Sequence, residues 1–167
     1  VMGERQMTRE EGAALYAYGN SAQCREAVDK TLADAGSSSP SSSPTRTALA
    51  YHVLGALRRL ETFEDLPSLY AVVPQGSTLW KGAQAVGAEV LCSTPVLAYM
   101  DEEAAESEAK KQQQQQGAAV VVVEVQGKFV GYDVTPFLGD GRELVLLEPG
   151  QLYRTLSAAG GGTGQAT

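Results

Sequence analysis

The sequence predicts an α+β domain in which helices come first and a mainly antiparallel β-sheet follows. Through residue 60, apolar side chains recur three or four positions apart, as they do on one face of a helix. From Leu69 onward the apolar residues form short, valine-rich runs separated by proline and glycine, as in strands. The chain has 167 residues, 43% of them apolar, which is enough for one core of ordinary size. We therefore expect a single domain over residues 1–157.

Three helices are expected before the strands. Thr8 with Glu11 three positions later forms a capping-box pattern, and Gly19 is expected to stop that first helix. Either Asn20 or Ser21 fits as the N-cap of the second helix. The second helix has apolar positions at helical spacing: Cys24, Val28, Leu32 and Ala35. The third has one apolar face: Leu49, Val53, Ala56, Leu57 and Leu60.

Short apolar runs predict the strands that follow: residues 69–73, 89–92, 118–125, 129–134, 143–147 and 152–156. The run 118–125 is almost unbroken valine, which predicts a strand covered on both faces. Gln126-Gly127 is expected to form a tight turn after it, and Pro149-Gly150 to join the last two strands as a hairpin.

One further helix is expected within the strand region. Thr94-Pro95 supplies an N-cap and a proline at the first helical position, so the pattern predicts a helix over residues 96–109. Three stretches of low complexity are expected to bury nothing: loops at residues 36–45 and 107–117, and a flexible tail at 158–167.

The charge and cysteine content exclude several classes of protein. The 13 Lys and Arg against 20 Asp and Glu give a net charge of −7, which argues against a nucleic-acid surface and against an anionic membrane surface. No apolar run approaches the about 20 residues that span a bilayer, and the first residues do not resemble a signal peptide. Cys24 and Cys92 are too far apart for a zinc motif and too few for a disulfide framework, so no metal is expected. These features favour an intracellular, reducing compartment such as the cytoplasm, and the low-complexity insertions suggest a domain of a larger eukaryotic protein.

The order of the motifs is more specific than any one of them. The motifs are Glu10-Glu11, Leu15-Tyr16, the leucine-rich segment 54–60, Leu69-Tyr70, Leu91-Cys92-Ser93-Thr94-Pro95, Gly131-Tyr132-Asp133-Val134-Thr135-Pro136, Glu143-Leu144-Val145-Leu146-Leu147 and Pro149-Gly150. In this order and spacing the chain, from about Thr8 to Ser157, resembles the mono-ADP-ribosyltransferase family. The resemblance implies a split β-sandwich that, in active members, cleaves NAD and transfers ADP-ribose to a protein side chain.

The resemblance also implies a site. In the family an arginine on the first strand binds the pyrophosphate of NAD, and a serine on the second strand supports the nicotinamide ribose. Here Tyr70 precedes Ala71 at the arginine position, and alanine cannot bind a pyrophosphate as a guanidinium does. Ser93 matches the family serine and Thr94 its neighbour, whereas Pro95 replaces the second serine.

The position of the family glutamate stays ambiguous by one residue. Counting forward from Asp133 gives Glu143, and counting back from Pro149 gives Leu144. Neither register contains the pair of Gln or Glu residues that active members usually carry. Ser93 and Glu143 are therefore candidates for vestigial catalytic positions.

These observations lead to the interpretation of a non-catalytic ADP-ribosyltransferase-like domain that binds a protein or serves in assembly. No cofactor is then expected, and the acidic composition favours a partner with a basic segment, bound at the former cleft or at an exposed sheet edge. One alternative is an active NAD-dependent enzyme in which Arg58, Arg59 or Arg142 replaces the lost arginine. Another is an unrelated α+β adaptor with a different strand order.

Overall fold

A computed structural model describes residues 6–35, 43–63 and 68–156. Within these ranges the chain forms six helices: α1 Arg9–Asn20, α2 Ala22–Asp34, α3 Pro44–Leu57, α4 Thr78–Ala83, α5 Glu102–Gln116 and α6 Thr135–Leu138. It also forms eight strands: β1 Thr62–Phe63, β2 Leu69–Pro74, β3 Glu89–Cys92, β4 Val96–Tyr99, β5 Val120–Val125, β6 Gly131–Asp133, β7 Leu144–Leu147 and β8 Gln151–Arg154. The predicted class, α+β with helices first, is confirmed.

The strands form two antiparallel sheets. The larger sheet has six strands in the order β1-β6-β7-β4-β2-β5, and the smaller sheet pairs β3 with β8. In the larger sheet β4 lies between β2 and β7, with Tyr99 opposite both Tyr70 and Leu144. Since successive residues of a strand point to opposite faces, each strand of this sheet contributes to two apolar layers.

The first layer lies between the larger sheet and the N-terminal helices. Leu15 and Tyr18 of α1 and Val53 of α3 pack there with Leu144 and Leu146 of β7, and all five are almost completely buried. The second layer lies on the opposite face. Its fully buried members come from three strands: Leu69, Ala71, Ala98, Val145 and Leu147. Trp80 of α4 and Tyr153 of β8 pack against this second layer, so that α4 and the small sheet help to cover it.

The N-cap signals at the first two helices are confirmed, whereas Gly19 does not stop α1, which continues to Asn20. Thr8 caps α1, with its side chain accepting from the Glu11 amide and the Glu11 carboxylate accepting from the Thr8 amide. Ser21, rather than Asn20, caps α2. Helix α3 begins at Pro44, so the predicted loop 36–45 is wrong in its last two residues, and its residues 36–42 lie outside the described ranges. No helix among the described residues is long and apolar enough to cross a membrane.

The predicted helix over residues 96–109 is wrong in its first six residues and confirmed over residues 102–109. Residues Val96–Tyr99 form strand β4, and α5 begins only at Glu102 with Asp101 as its N-cap. Because β4 has a strand on each side, pairing along both edges outweighs the local helix signal of Thr94-Pro95. The predicted loop 107–117 is also wrong, since α5 continues through the glutamine run to Gln116 and buries Ala105 and Ala109.

The predictions about strand β5 and about the two turns have mixed outcomes. Strand β5 is at the edge of the sheet and pairs, among the described residues, only with β2. Both of its faces are nevertheless partly covered, because Val122 packs against the first apolar layer and Val121 and Val123 pack against the second. Gln126-Gly127 follows β5 directly, with Gly127 at a φ of 104°, and the strand that it leads to, β6, is not a neighbour of β5 in the sheet. Pro149-Gly150 does not close a hairpin, because β7 belongs to the larger sheet and β8 pairs with β3.

Candidate functional site

Ala71, at the position that the resemblance predicts for the family arginine, is buried in the second apolar layer. It has no exposed surface and lies on β2 opposite Val123 of β5 and Ala98 of β4. The side chains that pack against this layer include Trp80 and Tyr153, so the space over this face of β2 is filled by apolar and aromatic groups. A dissolved ligand therefore has no access to this position.

Tyr70 lies on the opposite face of β2, next to a cluster of carboxylates. Glu124 stands directly opposite it on β5, and Asp101 and Glu102 form the start of α5. Loss of hydration and then the negative charges of Glu102, Glu124 and Asp101 raise the pKa of the Tyr70 phenol. We call the three exposed acids Asp101, Glu102 and Glu124 the acidic patch.

Ser93 and Thr94 lie in the connection between β3 and β4. Ser93 is exposed, Thr94 is partly buried, and Pro95 is buried. Since β4 starts at Val96, Thr94 does not cap a helix. The connection is held from the helical side, because the Tyr18 hydroxyl lies 3.3 Å from the Pro95 carbonyl oxygen.

The two candidate glutamate positions have opposite environments. Glu143 is exposed and precedes β7, where its carbonyl accepts a hydrogen bond from the Met100 amide. Leu144 is fully buried in the first apolar layer. Glu143 is four residues from Leu147, the partner of Val96, so along the strands it is about 14 Å from the Ser93 end of β4. The structure therefore does not bring Glu143 and Ser93 together.

A groove of about 380 Å³ lies between α2, α5 and the strands β2 and β4. Of the predicted site residues, Thr94 lines this groove, whereas Tyr70, Ala71, Ser93 and Glu143 do not. Val72 and Leu97 contribute apolar side chains from the strands, and Gln112 and Gln116 contribute amides from α5. Polar and charged groups also line the groove: Tyr18 of α1, Arg25, Glu26 and Asp29 of α2, and Arg142 from the segment before β7.

Both arginines of the groove already have partners within the chain. Arg25 donates from Nη1 to the carbonyl oxygens of Tyr18 and Gly19, at 3.0 and 2.9 Å. Arg142 forms an ion pair with Asp140 and donates from Nη2 to the Asn20 side-chain oxygen at 2.6 Å. Among the arginines that the sequence suggested as substitutes, Arg142 thus reaches the groove. Arg59 instead pairs with Glu11 on α1.

Asp29 is the carboxylate that the sequence did not single out. It accepts a hydrogen bond from the Tyr18 hydroxyl at 3.0 Å, and Tyr18 itself is 1% exposed. Burial raises the pKa of Asp29 to about 6, although the Tyr18 hydrogen bond and the Arg25 charge both act to lower it. Burial and the nearby Asp29 raise the pKa of Tyr18, so that its hydroxyl keeps its proton. Spacing on α2 gave no sign of these roles, because they depend on how α1 and α2 pack over β4.

A larger cavity, of about 590 Å³, lies between the edge strand β5 and strand β8 of the small sheet. Its walls include Val122, Phe129 and Tyr153, and it contains none of the predicted site residues. The hydroxyl of Tyr153 is buried and has no hydrogen-bond partner among the described residues. Within the same residues, no three His, Cys, Asp or Glu side chains gather into a metal-binding group.

Comparison with known proteins identifies the architecture. No protein-family model and no curated protein matches the chain. Among solved structures, the Vis toxin, an ADP-ribosyltransferase from Vibrio splendidus, matches over 90% of this chain and 67% of its own, with 16% identity and a TM-score of 0.59. The same enzyme in complex with an inhibitor, M6, gives a TM-score of 0.57 at the same identity and coverage. The catalytic domain of VahC from Aeromonas hydrophila matches over 91% of this chain and 84% of its own, at 17% identity and a TM-score of 0.45.

The helices, the two antiparallel sheets and this similarity define an ADP-ribosyltransferase-like fold. The fold that the order of motifs implied is therefore confirmed. At 16% identity the similarity establishes the fold and leaves the chemistry to be argued from the residues of this chain.

Proposed function

We propose that this ADP-ribosyltransferase-like domain does not turn over NAD and instead binds a basic segment of a protein partner. The burial of Ala71 is the observation that carries the first half of the proposal. A pyrophosphate needs cationic groups within hydrogen-bond reach, and the β2 position that supplies one in the family here faces a filled apolar layer. Adding an arginine at this position would bury a guanidinium without a partner.

The other cationic groups near the groove do not replace that arginine. Arg25 and Arg142 are engaged by backbone carbonyls and by Asp140, and Glu26 and Asp29 add two carboxylates to the same groove. The candidate glutamate, Glu143, does not line this groove. The charges of the two arginines and the two carboxylates thus cancel, so the groove does not attract a pyrophosphate, which carries two negative charges.

The acidic patch supports the second half of the proposal. Asp101, Glu102 and Glu124 are exposed and lie around the Tyr70 ring, on a chain whose net charge is −7. Carboxylates beside an aromatic ring attract arginine and lysine side chains, because the ion pair and the cation–π contact act together. The patch adjoins β5, whose outer edge pairs with no other strand of the described ranges and so offers backbone groups to an extended peptide.

A second candidate function is an active NAD-dependent transferase, and the observation that favours it is the presence of Arg142 and Arg25 beside Thr94 in the groove. Calorimetric titration with NAD, together with an assay of nicotinamide release, separates the two. According to the proposal, NAD at about 1 mM, roughly the upper end of the usual range of enzyme KM values, does not bind saturably. Nicotinamide is then released no faster than in buffer without the protein. Saturable binding with release, lost in Arg142→Gln, would overturn the proposal in favour of an enzyme that cleaves NAD.

Binding of a basic segment is tested with a fluorescently labelled octa-arginine peptide and anisotropy at two salt concentrations. We expect binding that weakens with salt and falls at least about tenfold in the Glu102→Lys, Glu124→Lys double variant. The matched control is Glu10→Lys, Glu61→Lys, which makes the same change in net charge at two other exposed acids. Equal loss in both double variants would mean that net charge alone drives binding, and the patch would be rejected as the site.

A further inference from the structure

The hydroxyl of Tyr18 lies between two acceptors that compete for its single hydrogen. Its oxygen is 3.0 Å from Asp29 Oδ1 on α2 and 3.3 Å from the Pro95 carbonyl oxygen. A phenol carries one hydrogen, so it donates fully to one of these acceptors at a time. Tyr18 is 1% exposed, so water does not readily supply the missing donor.

The charge state of Asp29 decides which acceptor receives the hydrogen. An ionised carboxylate only accepts, and hydrogen bonds to charged oxygens are the stronger ones, so Tyr18 then donates to Asp29. A protonated Asp29 has its own O–H and donates it to the Tyr18 oxygen. The Tyr18 hydrogen is then released to the Pro95 carbonyl, and all three groups are satisfied in one chain.

We propose that Asp29, Tyr18 and the Pro95 carbonyl form a proton-controlled switch that tightens or releases the Ser93-Thr94-Pro95 connection. Uptake of one proton from solvent by the Asp29 carboxylate reverses the Asp29–Tyr18 hydrogen bond and strengthens the Tyr18–Pro95 bond. Loss of that proton reverses both changes. The Ser93-Thr94-Pro95 connection responds to these changes because Pro95, its last residue, is buried and directly precedes β4.

The surroundings of Asp29 are compatible with a proton exchange under mildly acidic conditions. Burial places the pKa of this carboxyl at about 6. The charged and titratable groups that share its groove are Arg25 and Glu26 of α2, Cys92 of β3, Tyr99 of β4, Arg142 before β7, and Tyr18 itself. Arg25 is the cation whose charge opposes protonation of Asp29, and its Nη1 is held by backbone carbonyls rather than by the carboxylate.

Nuclear magnetic resonance of the ¹³C,¹⁵N-labelled chain tests the switch between pH 4.5 and 8. We expect the Asp29 carboxyl carbon and the Pro95 carbonyl carbon to shift with one common midpoint. In Tyr18→Phe, which keeps the ring, Asp29 should still titrate while the Pro95 carbonyl shift becomes independent of pH. In Asp29→Asn the Pro95 shift should also be constant.

Glu26→Gln is the matched control, since Glu26 lies on the same helix and lines the same groove. It should leave the common titration of Asp29 and Pro95 in place. A Pro95 carbonyl that stays constant while Asp29 titrates would overturn the switch. So would a Pro95 titration that persists unchanged in Tyr18→Phe, because the signal would then bypass the phenol.

Discussion

The raised pKa of Asp29 makes a quantitative prediction about the stability of the domain. Burial moves this pKa from an ordinary 3.8 to about 6, so the folded chain binds the proton more tightly than the unfolded chain. At about 1.4 kcal/mol for each tenfold change in proton affinity, the difference corresponds to about 3 kcal/mol at most. Asp29 remains partly exposed, so we expect about 1–3 kcal/mol.

The sign of the effect follows from which state binds more protons. Between about pH 4 and pH 6 the folded state holds the Asp29 proton and the unfolded state has lost it. The free energy of unfolding therefore falls as the pH rises through this window, and the full loss is present above about pH 7. Asn cannot ionise and still accepts the Tyr18 hydrogen bond, so Asp29→Asn should remove the loss.

Urea unfolding of the wild type and of Asp29→Asn at pH 4, 5, 6 and 7.5 measures this difference. The variant should be about 1–3 kcal/mol more stable at pH 7.5 and nearly equal to the wild type at pH 4. Taking the difference cancels the contribution of the other carboxylates, such as Glu124 and Asp140, whose pKa values are lowered. Glu26→Gln should follow the wild type at every pH. A pH-independent difference, or an Asn variant that is less stable at pH 7.5, would refute the reasoning.

Two further predictions concern packing and reactivity. A Cβ at Gly19 would lie 2.0 Å from Leu138 Cδ2, and Leu138 is 2% exposed, so Gly19→Ala should destabilise the domain by roughly 1–2 kcal/mol. On the same helix, a Cβ at Gly12 would meet no atom closer than 3.9 Å, so Gly12→Ala should stabilise the domain by up to about 1 kcal/mol. Thermal unfolding measures both variants, and a shift of both melting temperatures in the same direction would contradict this account. Burial raises the pKa of Cys92 to about 11, so a thiol reagent at pH 8 should label the half-buried Cys24 first and reach Cys92 only after unfolding. Mass spectrometry of the native and urea-treated chain checks this order, and equal native labelling rates would exclude it.

The elements that the sequence predicted correctly are those whose signals are local. The capping box at Thr8 and the cap at Ser21 are made by hydrogen bonds that reach only three residues along the chain. The wrong start of the helix predicted over residues 96–109 has a cause that is not local. Thr94-Pro95 is a sound local signal for a helix start, but Val96–Tyr99 receives partners on two sides from strands that are distant in sequence.

The same distinction holds for the candidate site. The order and spacing of the motifs were enough to predict the ADP-ribosyltransferase-like fold, and the sequence alone placed alanine at residue 71. Ala71 faces a closed apolar layer because side chains of α4 and β8 pack against that layer, and only the tertiary structure brings them there.

Composition, capping motifs and the order of the short strands thus determined the class and the fold, because each of these signals comes from neighbouring residues or from their order along the chain. The groove with Asp29, Tyr18 and Arg142, and the pairing of β8 with β3, were decided by tertiary structure. These residues are far apart in the chain, and the burial that sets the pKa of Asp29 exists only after the helices have packed against the sheet.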